Sequence, residues 1–403
     1  MHIALLTPAW PLAKFQNGII TYVHWMQRGL EDLGHRVSVF TCQLDPGHSE
    51  PNVHVVAPRH PGRAERVMRR LTSIWRPHPD ASFEFSAAIA GKMIEVHRRD
   101  PIDVIEMEES FGWCADVARQ TALPVVVKLH GPAFLSMMPE EIETPFGREK
   151  IEREGAALRR SVGVTSPCRI TLLQTVEKYA LTPPVEAHVE NPLIMDDGTP
   201  LWALDRCDRD TILFVGRFDM RKGADVVIDA FAVALRTHPR LKLIVVGPDR
   251  GVPDKDGRSL HFEEFCAARI APGVRARIDF RGPMANRDIA DLRTRAMLTV
   301  VASRWENPGY TLLEAMFQAC PIVSSDAGGC PECVTDGESG LLARSGEPED
   351  FAAKICTLID DPPRRAEAMG LAARRYVLER HAAEVVAAKS VDIYERVIAQ
   401  RAT

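Results

Sequence analysis

Short apolar runs rich in branched residues alternate along the chain with longer stretches in which apolar residues recur at helical spacing. Near the start, an apolar run at 2–7 precedes an amphipathic pattern at 20–33 that Gly34 closes, and a second apolar run follows at 36–41. This order is the opening of a β-α-β unit, which favours a parallel sheet. Further strands of this half are predicted at 103–107, 124–129 and 162–166.

A second series of the same kind follows. Its strands are predicted at 211–215, 241–247, 277–281, 297–302 and 321–325. The stretch between the two series, 191–210, is rich in Asp, Pro and Gly, and we place the connection between two domains there. The sequence therefore predicts an α/β protein with two doubly wound, Rossmann-like parallel-sheet domains at 1–190 and 211–380 that face each other across a cleft. A C-terminal helix at 381–403 is expected to pack back on the first domain.

Two glutamates lie eight positions apart in the segment 303–337, SRWENPGYTLLEAMFQACPIVSSDAGGCPECVTDG. The apolar run at 297–303 predicts a buried strand, which places Glu306 on the loop that follows. A helix is predicted to begin near Pro308, with Glu314 about one turn inside it. Because helical side chains lean toward the N-terminus of their helix, the Glu314 carboxylate would reach a ligand lying over that end.

The same helix start predicts an anion site. The free N–H groups around Tyr310 to Leu312 and the positive end of the helix dipole suit phosphate groups. Carboxylates recognise vicinal hydroxyls but repel phosphate, so we assign the phosphates to backbone and cations, and the glutamates to a ribose and a sugar. Together with Gly328 and Gly329, this unit indicates a sugar-nucleotide site.

The cations are found upstream, in the segment 211–223, TILFVGRFDMRKG. A short buried strand ends at Gly216, and Arg217 and Lys222 flank a loop that leads into a helical pattern at 224–238. A strand, a glycine turn and two cations before a helix form a plausible diphosphate clamp, although cations in such a loop are often simply solvated.

Composition and charge narrow the class of protein. The 403 residues are 45% apolar, which is enough for two cores, and a net charge of −5 with a pI near 6.2 argues against nucleic acid as the main partner. No apolar run approaches the roughly 18 residues of a membrane span, and the start lacks the basic leader of a signal peptide. Nine cysteines at scattered spacings fit a reducing compartment, so we expect a cytoplasmic protein.

The C-terminal half resembles that of family 4 glycosyltransferases, through GRFDMRKG at 216–223, VVG at 245–247 and SRWENPGYTLLEAMFQACPIVSSDAGGCPE at 303–332. The N-terminal half matches mainly in layout, through GHRVSVFT at 34–41 and LHGP at 129–132. The resemblance implies a retaining enzyme with the two-domain GT-B fold, an acceptor-binding first domain and a donor-binding second domain. The donor would be a nucleoside diphosphate sugar of the UDP, GDP or ADP type, with no metal or other cofactor.

The resemblance also implies roles for single residues. Arg217 and Lys222 would bind the donor diphosphate, Glu314 the ribose hydroxyls, and Glu306 the donor sugar and its developing charge. His130, after the strand at 124–129, matches a histidine of the family that faces the donor sugar from the N-terminal domain. With Glu306, Arg217 and Lys222 it completes the implied catalytic set.

The remaining contacts implied by the resemblance are mostly backbone contacts. On the donor side they involve Gly216, Met284, Asn307, Pro308, Gly309, Tyr310 and Thr311. Met284 is the last residue of the segment 280–284, which in this family contacts the base mostly through its backbone. The sequence therefore does not indicate which base is bound. On the acceptor side, Gly18 stands in the glycine loop, and Asn17 replaces the glycine that usually precedes it.

Each assignment has a structural alternative. His130 could be a hydrogen-bonded structural histidine, Glu306 a solvated loop carboxylate and Glu314 a helix-surface residue. Cys330 and Cys333 form a CxxC, but no second pair completes a tetrahedral site, and we interpret both as packing residues. The acid pairs Asp208-Arg-Asp210 and Asp254-Lys-Asp256 are placed in polar loops, and no metal is assigned to them.

Two rival functions remain open. A sugar phosphorylase would use the same fold with inorganic phosphate, and a non-catalytic protein would keep the sugar-nucleotide site without turnover. A dehydrogenase is disfavoured because no GxGxxG follows the first strand. Separately, the arginines from Arg63 to Arg76 fall on one side of a helical projection. They predict either a packed helix with a basic outer face or a contact with anionic lipid or a lipid-linked acceptor at the cytoplasmic face of a membrane.

Overall fold

The computed structural model describes residues 1–15, 17–57, 81–194, 198–361 and 363–402. The chain divides into two compact units, which we call unit 1 (Met1–Pro192 and Ala383–Thr403) and unit 2 (Leu193–Ala382). The predicted basic face from Arg63 to Arg76 lies outside the described residues. Within the described ranges, no helix is both long enough and apolar enough to cross a membrane.

The centre of unit 1 is a seven-stranded sheet in which every pairing is parallel. Its strands are β1 (His2–Thr7), β2 (Arg36–Thr41), β3 (Val53–Val55), β4 (Val104–Glu108), β5 (Val125–Lys128), β6 (Gly163–Ser166) and β7 (Val185–His188). The spatial order is β3-β2-β1-β4-β5-β6-β7. The central strands β1, β4 and β5 are buried along their whole length and are mostly apolar, with Glu106, Glu108 and Lys128 as buried charged exceptions.

The described helices of this part of the chain follow the strands in sequence. They are α1 (Gly18–Asp32), α2 (Ala81–Arg99), α3 (Trp113–Thr121), α4 (Ala133–Ser136), α5 (Pro139–Ile142), α6 (Pro145–Leu158) and α7 (Arg169–Tyr179). The C-terminal helix, Ala383–Ala402, also belongs to unit 1 and packs against α1. A Cβ atom on Gly29 of α1 would lie 2.7 Å from the carbonyl oxygen of Ala383, so the two helices meet at close range there.

A buried carboxylate joins the C-terminal helix to the sheet of unit 1. Glu106 of β4 accepts one hydrogen bond from the hydroxyl of Tyr22 and one from the hydroxyl of Tyr394, both at 2.8 Å. Burial raises the pKa of the Glu106 carboxyl, although the charge of Lys128 and the two hydroxyls act in the opposite direction. Tyr394 and Glu106 are almost fully buried, so this contact lies inside the core of unit 1.

Unit 2 contains a six-stranded parallel sheet and a small three-stranded sheet. The strands are β8 (Asp208–Val215), β9 (Phe218–Asp219), β10 (Lys242–Val246), β11 (Asp249–Pro253), β12 (Ser259–Leu260), β13 (Ile278–Gly282), β14 (Ala296–Val301), β15 (Ile322–Ser325) and β16 (Leu341–Ala343). The large sheet has the order β13-β10-β8-β14-β15-β16, and the small one has the order β12-β11-β9. The helices are α8 (Ala224–Ala234), α9 (Phe262–Arg269), α10 (Pro272–Arg275), α11 (Asn286–Arg295), α12 (Tyr310–Phe317), α13 (Cys330–Cys333), α14 (Pro348–Asp360) and α15 (Pro363–His381).

The order of the large sheet places two loops side by side. Strands β8 and β14 are parallel neighbours, with Leu213 opposite Thr299 and Phe214 opposite Val300. Their carboxyl ends therefore lie at the same edge, and the loop after each strand emerges beside the other. In doubly wound sheets this edge, where the strand order changes direction, is the usual place for a ligand.

The predicted α/β fold with two doubly wound parallel sheets is confirmed, and several boundaries differ from the prediction. Strand β8 begins at Asp208, so Asp208 and Asp210 lie in a strand rather than in a polar loop. Asp208 accepts hydrogen bonds from Thr211 and Lys242. Helix α8 ends at Ala234 rather than near 238, and α12 begins at Tyr310 rather than near Pro308. Strands β3, β7 and β16 and the small sheet were not predicted.

Candidate functional site

Glu306 lies on the loop after β14 and is buried between two hydrogen-bond donors. Its Oε2 atom is 2.6 Å from the Nζ atom of Lys222 and accepts a hydrogen bond of 2.7 Å from the hydroxyl of Ser303. Lys222 ends the loop after β8, so the pair joins the two neighbouring loops. The sequence placed both residues at this edge of the sheet but did not predict that they form an ion pair.

Charge keeps the Glu306 carboxyl ionised. Burial alone would raise its pKa, but the charges of Lys222 and Arg221 and the hydrogen bonds from Lys222 and Ser303 outweigh burial and hold the pKa below its usual value. At neutral pH the side chain is therefore a carboxylate with one oxygen occupied by protein donors.

Two glycines let other backbone segments approach Glu306. A Cβ atom on Gly309 would lie 2.6 Å from the Oε1 atom of Glu306. Gly328 has a positive φ of 58°, and a Cβ atom there would lie 2.2 Å from the carbonyl oxygen of Glu306. The N–H group of Gly329 donates to that same carbonyl at 2.8 Å. The pair Gly328 and Gly329 thus supports the backbone of the glutamate loop.

Asp219 organises the loop that carries the two predicted cations. Its Oδ2 atom is 2.7 Å from the Nε atom of Arg217, and its Oδ1 atom accepts a hydrogen bond of 2.8 Å from the backbone N–H group of Lys222. The side chain of Arg217 is 44% exposed, so its guanidinium is within reach of a ligand in solution. Gly216 lies between β8 and Arg217. Asp219 was not predicted, because its spacing to the cations is also that of an ordinary polar loop.

Arg304 ties the loop after β14 to the loop after β8. Its guanidinium makes two hydrogen bonds, of 2.8 and 2.6 Å, to the carboxylate of Asp225 at the start of α8. Its backbone N–H group donates to the carbonyl of Arg221 at 2.9 Å, and its guanidinium also donates to the carbonyl of Met220. These contacts fix Glu306 relative to Lys222. Arg304 was not predicted as a site residue.

The residues after Glu306 form the start of α12, as the predicted anion site requires. Asn307 and Pro308 are buried, Gly309 is the N-cap, and α12 begins with Tyr310 and Thr311. Gly309 has no side chain, so no side-chain hydrogen bond caps this end. The positive dipole end of such a helix suits an anionic ligand.

Glu314 lies one turn inside α12, and its contacts are directed into unit 2. Its Oε2 atom is 2.7 Å from the guanidinium of Arg293, whose side chain is 1% exposed. The Glu314 side chain itself is 17% exposed. It is therefore a half-buried carboxylate with a fixed partner rather than a free residue of the helix surface.

The segment assigned to the base lies at an edge strand. Phe280 of β13 stacks on Phe262 with ring centroids 4.4 Å apart, and β13 is the outermost strand on its side of the large sheet. Met284, which follows this strand, is half-buried and packs against the small apolar cluster around Leu213 and Val246.

His130 lies in unit 1, directly after β5. Its backbone N–H group and that of Gly131 donate to the two carboxylate oxygens of Glu109, at 2.9 and 2.7 Å. Its ring meets the ring of Tyr22 edge-on at 4.7 Å. Burial, with a smaller effect from the charge of Lys128, lowers the pKa of His130 to about 3, so the imidazole is neutral at physiological pH. Glu109 was not predicted.

Asn17 and Gly18 form the start of α1 in unit 1. Asn17 is extended, and its side-chain oxygen accepts a hydrogen bond of 2.8 Å from the N–H group of Ile19, so it is the N-cap of the helix. This role explains why an asparagine is accommodated where the resemblance leads one to expect glycine. A Cβ atom on Gly18 would meet nothing within 4 Å.

Within the described ranges, no three His, Cys, Asp or Glu side chains are grouped in a way that could hold a metal ion. Cys330 and Cys333 are buried and form no disulfide, and burial raises the pKa of the Cys330 thiol to about 12. The Cys330 thiol is therefore poorly reactive.

Comparison with known proteins assigns the family. Residues 205–376 match the family model described as glycosyl transferases group 1, and residues 17–189 match the model described as glycosyl transferase 4-like domain. The two doubly wound sheets are those of the GT-B fold. The chain belongs to the glycosyltransferases of the family 4 type. The family and fold predicted from the sequence are confirmed.

The curated relatives include D-inositol 3-phosphate glycosyltransferases from several organisms. That of Acidothermus cellulolyticus is 34% identical over 168 residues, which are 41% of this chain and 36% of the relative, so the chain spans little more than a third of that relative's length. That of Thermobispora bispora is 27% identical over 406 residues, covering 94% of this chain and 89% of the relative.

Solved structures show the same fold. Sucrose-phosphate synthase from Thermosynechococcus elongatus superposes with a TM-score of 0.74 at 19% identity, covering 99% of both chains. Anabaena Alr3699/HepE, crystallised with UDP and glucose, superposes with a TM-score of 0.69 at 18% identity, covering 98% of this chain and 99% of the other.

Proposed function

We propose that the chain transfers a sugar from a nucleoside diphosphate sugar to an acceptor hydroxyl, with retention of the anomeric configuration. The observation that carries this proposal is the Lys222–Glu306 ion pair beside the N-terminus of α12. It puts a cation, a carboxylate and a helix N-terminus at the carboxyl ends of two neighbouring parallel strands, with Arg217 on the same loop as Lys222. A phosphorylated, polyhydroxylated ligand needs this combination of groups.

The charges support a reaction in which the diphosphate leaves the sugar. In the proposed transition state, positive charge develops on the anomeric carbon and negative charge on the departing diphosphate. Arg217, Lys222 and the first turn of α12 would stabilise the diphosphate, and the ionised Glu306 would position the sugar and favour its positive charge. We propose that these groups suffice without a metal ion, so transfer should persist in excess EDTA.

We propose a front-face route, in which the leaving phosphate takes the proton of the acceptor hydroxyl. Because His130 is neutral, we assign it a hydrogen bond to the donor sugar rather than proton transfer. Proton NMR of the product would test the stereochemistry: a linkage with the donor's anomeric configuration supports retention, and the opposite configuration refutes it.

UDP is the first donor nucleotide to test, because Anabaena Alr3699/HepE was crystallised with UDP and with UDP-glucose. A thermal-shift screen with UDP, GDP and ADP, followed by their sugars, would identify the base. The acceptor is proposed to be a glycan, a glycolipid or a small molecule bound near Asn17 and Gly18, and the protein is expected to act in the cytoplasm.

Two outcomes would favour the rival functions. Turnover with inorganic phosphate instead of a nucleotide sugar would indicate a phosphorylase. Donor binding without hydrolysis or transfer would indicate a non-catalytic binding protein. The intact ion pair of Lys222 and Glu306 favours catalysis over the second of these rivals, because it keeps a costly buried charge in place.

A further inference from the structure

A buried arginine lies directly behind Glu314. Arg293 of α11 has a side chain that is 1% exposed, and its guanidinium is 2.7 Å from the Oε2 atom of Glu314. A guanidinium withdrawn from water is unstable without an anionic partner. Glu314 is the one carboxylate that forms an ion pair with it in the part of the chain that the structure describes. Each of the two side chains therefore restricts the position of the other.

Gln318 holds the guanidinium from a second side. It lies one helical turn after Glu314 on the same stretch of chain, is fully buried, and accepts a hydrogen bond of 3.2 Å from Arg293. Its amide nitrogen donates to the carbonyls of Pro200 and Ala290, at 3.0 and 2.9 Å. Since the amide nitrogen faces these two carbonyls, the amide oxygen must face Arg293. The two backbone carbonyls thus fix the amide of Gln318, and the amide oxygen of Gln318 holds the guanidinium independently of Glu314.

This arrangement uses only one oxygen of Glu314. Oε2 is bonded to Arg293, and among the described residues none donates a hydrogen bond to Oε1. The side chain is 17% exposed, so the remaining oxygen can accept from a hydroxyl group of a ligand. Glu314 is the fifth residue of α12, about 6 Å along the axis from the first, which places it beside the proposed phosphate-binding turn.

We propose that Arg293 is a positioning residue that holds Glu314 ready to accept a hydrogen bond from a ribose hydroxyl of the donor nucleotide. The inference rests on the proposed function and adds the residue that makes the ribose contact selective. Because the guanidinium offsets the charge of Glu314, the carboxylate can recognise a hydroxyl close to the diphosphate without repelling it. Arg293 also removes rotational freedom that the Glu314 side chain would otherwise lose on binding.

The test compares ribose with deoxyribose. Isothermal titration calorimetry would measure the affinity of UDP, 2′-deoxy-UDP and 3′-deoxy-UDP for the full-length wild type and for Arg293→Lys, with GDP and ADP and their deoxy forms as parallel sets. We expect the wild type to prefer at least one ribonucleotide over a deoxy form by about tenfold or more. In Arg293→Lys, which keeps the charge but not the fork geometry, the preference should fall to within about threefold.

Controls separate positioning from general damage to the fold. Arg295→Lys changes an exposed arginine on the same helix and should leave the preference unchanged. In the Glu314→Gln background the preference should already be lost, and adding Arg293→Lys should change the affinities little further. In turnover assays Arg293→Lys should raise the KM for the donor more than it lowers kcat.

Each outcome decides the inference. An Arg293→Lys variant that keeps the full ribose preference overturns it, even if its melting temperature falls. A wild type that binds nucleotides but does not distinguish ribose from deoxyribose also overturns it, while the donor site itself stands. A wild type that binds none of the nucleotides refutes the proposed function and the inference together. If Arg293→Lys does not fold, Gln318→Met removes the amide that orients Arg293 and must reduce the same preference.

Discussion

At the scale of single residues, Glu306 is the group on which the proposed reaction depends most. It is buried and ionised because Lys222 and Ser303 donate to one of its oxygens while Gly309 lies against the other. The sequence indicated that Glu306 belongs to the site, but its partner was not predictable, because a contact between residues 84 positions apart depends on which strands are neighbours.

Removing the charge of Glu306 should stop transfer without unfolding unit 2. Glu306→Gln keeps the shape of the side chain but takes away the charge that favours the sugar cation. We expect turnover to fall by at least about 100-fold. The melting temperature should fall only by the contribution of the lost ion pair with Lys222, and the protein should remain folded. Glu338→Gln, on an exposed turn of the same unit, is the matched control. Turnover within about threefold of the wild type would rule out the role assigned to Glu306.

Removing the partner of Glu306 should make stability depend on pH in a defined direction. In the wild type the pKa of Glu306 lies below its unfolded value, so this group contributes stability above that value and loses it as the pH falls. In Lys222→Met, burial dominates and the pKa rises, so the ionised group becomes destabilising as the pH increases.

We therefore expect the difference in unfolding free energy between the wild type and Lys222→Met to widen between pH 4 and pH 7, by about 1–3 kcal/mol. Urea denaturation at several pH values measures it. The double variant Lys222→Met with Glu306→Gln carries no carboxyl at this position, so its difference from Glu306→Gln alone should be nearly independent of pH. A constant difference between the wild type and Lys222→Met would contradict the assigned cause.

At the scale of elements, the pattern of apolar residues was sufficient to predict the central strands of the sheets but not the short strands at the sheet edges. Strands such as β1 and β14 are buried throughout and produce continuous apolar runs. Strands β3 and β7 are short and contain half-buried or exposed residues, so they leave no such run. Arg293 was missed for a related reason. Its neighbours in sequence include the charged residues Arg287, Asp288, Asp291 and Arg295, and such a pattern does not distinguish a buried arginine from a solvated one.

The loops around Glu306 should respond differently to a single added methyl group. Gly328→Ala would place a Cβ atom 2.2 Å from a backbone oxygen in a left-handed conformation, and we expect a loss of stability of at least about 1–3 kcal/mol. Gly309→Ala would instead press on the Glu306 carboxylate, so activity should fall more than stability. Thermal melting and turnover should be measured on the same samples.

Gly273→Ala serves as the control for these two variants, because a Cβ atom there would meet nothing within 4 Å. It should leave both melting temperature and turnover close to those of the wild type. If Gly328→Ala proved as stable as Gly273→Ala, the close approach of Gly328 to the carbonyl of Glu306 would not hold in solution.

At the scale of the whole molecule, the order of strands and helices was sufficient to predict two doubly wound sheets, whereas the path of the chain between them was harder to predict. The predicted connection at 191–210 contains the boundary at Pro192, but β8 already begins at Asp208. Asp208 and Asp210 are polar, and the first residues of this strand are exposed, so the apolar pattern does not show where the strand begins.

The attachment of the C-terminal helix to unit 1 should depend on a hydroxyl group. Tyr394→Phe keeps the buried ring but leaves Glu106 with one of its two tyrosine donors. We expect a loss of about 1–3 kcal/mol in unfolding free energy, measured by urea denaturation. Arg396→Ala, at an exposed position of the same helix, should cost less than about 0.5 kcal/mol. Equal effects of the two substitutions would show that the buried hydrogen bond does not anchor the helix.

The division of unit 1 into two stretches of sequence affects the order in which the protein can fold during synthesis. The ribosome releases every residue of unit 2 before it releases the helix that begins at Ala383. The hydrogen bond from Tyr394 to Glu106 joins residues 288 positions apart, so it can form only after unit 2 has been released. Unit 2, which is continuous in sequence, can bury its core first, so the nascent chain should complete unit 2 while unit 1 has all its strands but still lacks the helix that packs against α1.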